Sequence, residues 1–151
     1  MPIQSTELST SLQDYLEAAY ILSRATGFAR SSDISRFLKV SRPSVNAAVK
    51  NLAARGLLAY EHYGHVHLTP KGERTGAKIA GHHFLLKDFF MTVLDLGETD
   101  AERDACKAEH ALSSATLIKL RALSCFLKVK TRRRVLSAIR SALTDEAPHD
   151  A

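Results

Sequence analysis

Two short amphipathic patterns separated by a single tight turn, at residues 31–54, constrain this chain more than any other feature. Ser31-Ser32-Asp33 reads as the cap of a short helix, ISRFLK, that carries Ile34, Phe37 and Leu38 inward. Val40-Ser41 is the turn. Ser41 or Arg42 then caps a second helix with Pro43 in its first turn, where a missing N–H costs nothing. Val45, Ala48, Val49 and Leu52 form its apolar stripe, and Arg55-Gly56 stops it. Ahead of the pair, residues 10–25 place Leu12, Leu16 and Ala19 at helical spacing, with Asp14 and Glu17 on an adjoining stripe, and Gly27 ends that helix. Behind it, residues 57–61 and 65–68 are short β-type runs around Tyr63-Gly64, a small hairpin. Three helices followed by a hairpin make a winged helix-turn-helix.

The remainder reads as helical throughout. Thr69-Pro70 opens a long helix that runs through Ile79, Phe84, Leu85, Phe89, Phe90 and Val93 to about Leu94, where Asp95-Leu96-Gly97 breaks it. Thr99-Asp100 caps a helix to about Leu112, Ser113-Ser114 caps another to about Leu127, and 131–143 is a last, basic helix; the tail after Thr144 is expected to be disordered. The expected fold class is therefore mostly α: an N-terminal winged helix-turn-helix over 1–70, an all-helical dimerisation domain over 71–143, and a disordered tail over 144–151. Dimerisation is expected because 84–94 and 112–127 carry more apolar residues than one small lobe buries, and symmetric duplex readers present two recognition helices about one turn apart.

Composition narrows the class further. The chain has 151 residues, 45% apolar and 25% charged, with a net charge of +5, which excludes disorder throughout and leaves no room for a large two-domain enzyme. No run of about 18 apolar residues exists, and Met1-Pro2-Ile3-Gln4 does not open like a secretory signal, so a cytoplasmic protein without membrane contact is expected. Two cysteines, Cys106 and Cys125, are too few for a disulfide scaffold and are expected to be reduced. Lys128, Lys130, Arg132, Arg133, Arg134 and Arg140 crowd the tail without an acid among them, a run read as a solvated helix face.

The segment SRPSVNAAVK at 41–50 is the candidate recognition helix. Asn46 has the chemistry to pair with adenine and Arg42 with guanine, while Ser41, Ser44 and Lys50 suit phosphates at a helix whose N-terminus, opened by Pro43, is itself an anion site. Arg30, Tyr63 and His65 stand where they could touch the backbone beside it. His62, His65 and His67 read as solvent-facing wing residues rather than as a metal cluster.

A second constellation is split along the chain. Asp14 and Glu17 lie three apart on the first helix; Cys106, Glu109 and His110 are spaced i, i+3, i+4 further on; His83 sits midway along the long helix. Imidazole, carboxylate and thiolate together suit a divalent transition ion, although each fragment taken alone also reads as ordinary polar surface. No GxSxG, HExxH, P-loop or dinucleotide fingerprint supports an enzyme.

Taken together, D-Y-L-E at 14–17, the S-D-I-S-R-F-L-x-V-S-x-P-S-V core at 32–45, L-T-x-K-G at 68–72, H-x-L-L at 83–86 and C-x-x-E-H-x-L-S at 106–113 resemble the DtxR/MntR family of metal-dependent transcriptional repressors. The resemblance covers roughly residues 10–127. It implies a winged helix followed by a helical dimerisation lobe, with divalent metal between the two permitting a homodimer to bind double-stranded operator DNA. By position it implies Asp14, Glu17, His83, Cys106, Glu109 and His110 as ligands, with Glu17 and Glu109 placed to bridge a binuclear site. The manganese branch carries a carboxylate where this chain has Cys106, and the iron branch carries methionine where it has Asp14, so the chain mixes the two. Ending near 143 without an SH3-like domain favours the short manganese-regulator form. Mn²⁺ or Fe²⁺ is the expected cofactor, with Zn²⁺ or Co²⁺ as further candidates. The alternative is a metal-independent winged-helix regulator that senses redox state through Cys106.

Overall fold

The computed structural model describes residues 8–61, 64–129 and 132–145, so Tyr63, His62 and Lys130 lie outside the described residues, as does the chain from 146 onward. The described residues form seven helices and three short strands, divided into two compact units at 80/81.

In the first unit, α1 (Thr10–Ser23) starts where the Ser9 side chain accepts a hydrogen bond from the Leu12 amide, and it buries Leu16, Ala18 and Ala19. After β1 (Ala29–Arg30), α2 spans Ser31–Leu38. The expected cap at Ser31–Asp33 is corrected: these residues are already helical, Arg30 is the cap without a side-chain bond, and Asp33 lies in the first turn, where its charge suits the helix dipole. Phe37 is also corrected, because Ile34 and Leu38, four apart, make the inward ridge and leave Phe37 50% exposed. Lys39, at φ 55°, closes the helix in the left-handed region. Ser41 caps α3 (Arg42–Ala54) by accepting from the Ser44 amide, and the four expected stripe residues, Val45, Ala48, Val49 and Leu52, are all buried.

Strands β2 (Leu58–Tyr60) and β3 (His65–Leu68) form the expected hairpin. β1 joins them as an antiparallel third strand, in the order β1-β3-β2, with Ala29 opposite Val66 and Arg30 opposite His65. Two residues are too short a run for periodicity to reveal. The core of this unit gathers Leu16, Ile34, Val45, Val49, Leu52, Leu57, Leu58, Val66 and Ile79.

Helix α4 (Pro70–Thr92) begins in this unit. Thr69 Oγ1 donates to the Gly56 carbonyl at 2.7 Å and accepts from the Gly72 amide at 3.0 Å, tying the helix start to the end of α3. A Cβ on Gly72 would stand 1.9 Å from the Leu57 carbonyl oxygen, and one on Gly76 would stand 2.8 Å from Tyr20 Cβ. This close approach, with Ile79 in the core, keeps the first eleven residues of α4, through Ala80, in one compact unit with the winged helix.

The second unit holds the rest of α4 with α5 (Glu98–Ala108), α6 (Ser114–Lys128) and α7 (Arg133–Asp145). Leu86, Ala105 and Leu117 make one buried cluster; Phe89, Val93 and Leu127 make a second, against which Leu136 and Ile139 of α7 pack. Gly97 rather than Thr99-Asp100 caps α5, and the helix ends at Ala108, short of Leu112. Helix α7 runs on through Asp145, so residues 144–145 are helical rather than part of a disordered tail. Within the basic run, Lys128 pairs with Asp88, Arg132 lies 3.6 Å from the Phe126 ring centre, and Arg140 donates to the Thr92 carbonyl. No helix among the described residues is long and apolar enough to cross a membrane.

Candidate metal centre and nucleic-acid face

His83 lies on α4 and Cys106 on α5. Although α5 ends at Ala108, Glu109 keeps right-handed helical angles and its amide donates to the Ala105 carbonyl at 3.0 Å, so the carboxylate stays on the Cys106 side of the helix. One donor atom from each of His83, Cys106 and Glu109 falls within 4.8 Å of the others. His83 and Glu109 are buried while Cys106 is exposed, so the group reaches from the interior of the second unit to its surface.

Both nitrogens of His83 face carboxylates: Nδ1 is 3.1 Å from Glu109 Oε2, and Nε2 is 3.0 Å from Glu102 Oε1. His110 Nε2 stands 3.1 Å from the other Glu109 oxygen, Oε1, but without the alignment of a hydrogen bond. The Glu109 side chain is 1% exposed. A carboxylate this buried with one oxygen lacking a hydrogen bond is costly unless positive charge compensates it, and a divalent cation among imidazole, thiolate and carboxylate would do so. These residues fit such an ion.

Glu102 is also held by Lys87, whose Nζ lies 3.0 Å from Glu102 Oε2 and 3.0 Å from Glu98 Oε1. Partial desolvation pushes the Glu102 carboxyl upward, but the hydrogen bonds and electrostatic attraction from Lys87 and His83 outweigh it, leaving it below the ordinary carboxylate value. Hydrogen bonds to Glu102 and Glu98 hold the Lys87 ammonium above its ordinary value. Sequence reading missed both residues, yet the signal was present. Glu102 lies one turn before Cys106, and Lys87 one turn after His83.

Asp14 and Glu17 belong to the first unit, three apart on α1, with Glu17 buried and Asp14 half-buried; Glu17 is thus no solvated surface acid.

The nucleic-acid candidates separate by exposure. Ser41, which caps α3, and Arg42, Pro43, Ser44, Asn46 and Lys50 on the helix are all exposed, and Asn46 and Lys50 line a cleft with Ala53 and Tyr60 of β2. Arg30 is exposed on β1, 5.9 Å from the centre of the Phe28 ring. His65 is half-buried and stacks on Phe28 at 4.3 Å, which makes it part of the wing's support as well as of its surface. His67 Nε2 lies 3.3 Å from Glu61. Tyr60, 56% exposed beside α3, was not anticipated and supplies an aromatic face on this side.

Residues 7–66 match the family model described as iron dependent repressor, N-terminal DNA binding domain, and residues 69–134 match the one described as iron dependent repressor, metal binding and dimerisation domain. The HTH-type transcriptional regulator MntR of Geobacillus kaustophilus (strain HTA426) is 35% identical over 130 residues, which is 86% of this chain and 90% of that protein. MntR of Shouchella clausii (strain KSM-K16) is 38% identical over 103 residues, 68% of this chain and 71% of that one. Among solved structures, that of the manganese regulator SloR superposes with a TM-score of 0.66 at 26% identity, over 74% of this chain. The chain spans about half the length of that solved relative, 52%.

Proposed function

The chain belongs to the iron-dependent repressor family, a family of transcriptional regulators rather than enzymes, and on that premise we propose that it is a metal-responsive repressor whose second unit binds a divalent cation through His83, Cys106 and Glu109. The observation that carries this reading is the grouping of those three donors around a buried carboxylate. His110, in contact with Glu109, and Asp14 and Glu17 of α1 complete the ligand set in this proposal.

A bound cation supplies the fixed positive charge that lets several carboxylates share one place. The residues do the rest. Glu109 and His83 anchor the site from the second unit, and Asp14 with Glu17 commits α1 of the DNA-binding unit to it. Fewer relative placements of the recognition helices then compete with the one that fits duplex, so less ordering remains to be done on binding. Ser41, Arg42, Pro43, Ser44, Asn46 and Lys50 of α3, with Arg30, Tyr63 and His65, meet operator DNA. The second unit pairs two copies into a homodimer, for which exposed Ile118, Leu123 and Phe126 of α6 provide apolar surface. Oxygen donors at 14, 17 and 109 suit Mn²⁺ or Fe²⁺, and the thiolate at 106 shifts the balance toward Fe²⁺, Zn²⁺ or Co²⁺; Glu17 and Glu109 stand as bridging ligands if two ions bind. The place of action is the cytoplasm, where the DNA is. A metal-independent regulator sensing redox state through Cys106 is not favoured by the family.

The test is a duplex-binding titration on fragments selected from a random pool by the cation-loaded protein. Binding should appear with Mn²⁺ or Fe²⁺ and vanish in chelator. Equal binding in both conditions would overturn the proposal.

A further inference from the structure

We propose that Glu102, tethered by Lys87, is a positioning residue that fixes the His83 imidazole with Nε2 protonated and Nδ1 presented to Cys106 and Glu109. The inference rests on the metal reading given above and adds to it the device that prepares its imidazole donor. Three observations carry it. Glu102 Oε1 is 3.0 Å from His83 Nε2, and its other oxygen, Oε2, is 3.0 Å from Lys87 Nζ, so both carboxylate oxygens have partners outside the Cys106–Glu109 group. Lys87 is anchored in turn by Glu98 at 3.0 Å. His83, finally, is buried, its ring nearly perpendicular to that of Phe84 at 5.8 Å between ring centres.

A neutral imidazole carries one N–H. A carboxylate at Nε2 accepts that hydrogen and leaves the Nδ1 lone pair for a ligand; it also raises the donor strength of the ring, as carboxylates behind metal-binding histidines do. Lys87 performs two tasks here. It keeps Glu102 aimed at the ring, and its ammonium neutralises a carboxylate that would otherwise be drawn toward a cation as an additional ligand. Glu102 therefore stays behind His83 rather than beside it.

Cobalt(II) titration of the full chain, followed by visible absorption, tests this directly because the ligand-field bands report the donor set independently of DNA binding. Glu102→Ala should weaken Co²⁺ binding about 10–100-fold and alter those bands at unchanged stoichiometry. Glu102→Gln keeps an acceptor oxygen and should restore most of the loss, whereas Lys87→Met should fall between wild type and Glu102→Ala. Glu102 lies on the exposed side of α5, and matching metal-free circular dichroism melts establish that each variant folds. Wild-type affinity and bands in Glu102→Ala would overturn the inference alone. A reduced stoichiometry in that variant would also overturn it, by making Glu102 a ligand. Failure of the wild-type chain to bind Co²⁺, with His83→Ala indistinguishable from it, would overturn the metal reading itself.

Discussion

Nδ1 of His83 lies 3.1 Å from Oε2 of Glu109, a contact between α4 and the end of α5 across 26 residues of chain. It places a buried imidazole against a buried carboxylate beside an exposed thiol, and in the proposed reading these three groups hold the cation of the second unit.

Replacing either partner should therefore abolish cation binding rather than weaken it slightly. For His83→Ala or Glu109→Gln, calorimetric titration with Mn²⁺ should show an affinity loss exceeding the factor of about 10–100 seen when outer-shell partners of a metal site are changed. Retained affinity in both variants would place the site elsewhere.

The winged helix should read bases through the exposed face of α3. Arg42→Ala and Asn46→Ala should each cost about 1–3 kcal/mol on selected duplex and relax selectivity, if their side chains contact base edges. Lys50→Ala should weaken binding to all sequences alike and reduce the slope of affinity against log salt by about one. Anisotropy titrations at several salt concentrations distinguish the two behaviours, and a uniform loss from all three would contradict the assignment of Asn46 and Arg42.

Gly72 should resist substitution for reasons unrelated to DNA or metal. Its Cβ would meet the Leu57 carbonyl oxygen at 1.9 Å, a backbone atom that can yield only if α4 and the β2 entry move apart. Gly72→Ala should destabilise the fold by about 1–3 kcal/mol in urea unfolding, despite the better helix propensity of alanine. An increase in stability would show that the approach is loose.

Truncation of Leu52, which is fully buried, should cost about 2–5 kcal/mol as Leu52→Ala, through lost burial and the cavity left behind. Denaturant titration checks it, and a loss under about 1 kcal/mol would mean that the site collapses around the smaller side chain.

The helix-turn-helix was legible because its signals are local. Ser41 and Pro43 mark a start, Gly56 marks a stop, and Val45, Ala48, Val49 and Leu52 repeat at the helical period. Where the signal depends on tertiary contact it failed. Phe37 has the chemistry of a core residue but falls off the Ile34–Leu38 ridge, and β1 is a strand only because Val66 and His65 of β3 pair with it. The early end of α5 was equally hidden, since Glu109 and the turn after it keep near-helical hydrogen bonds while leaving the regular helix.

The candidate site was legible as a list of donors but not as a set of partners. Spacing put Cys106, Glu109 and His110 on one face and singled out His83 on the long helix, and the resemblance to a known family implied that they act as ligands together. Nothing in spacing says that Lys87 reaches across from α4 to Glu98 and Glu102 of α5, because that pairing is set by how two helices pack.

If a cation commits α1 to the site, cation binding and duplex binding are coupled in one molecule. Coupling of this kind is reciprocal, so the most direct measurement is the Mn²⁺ affinity of the full chain with and without saturating selected duplex. The duplex should tighten Mn²⁺ binding by the same factor by which Mn²⁺ tightens duplex binding, and the effect should disappear in His83→Ala. Identical Mn²⁺ affinities in the presence and absence of DNA would contradict the account.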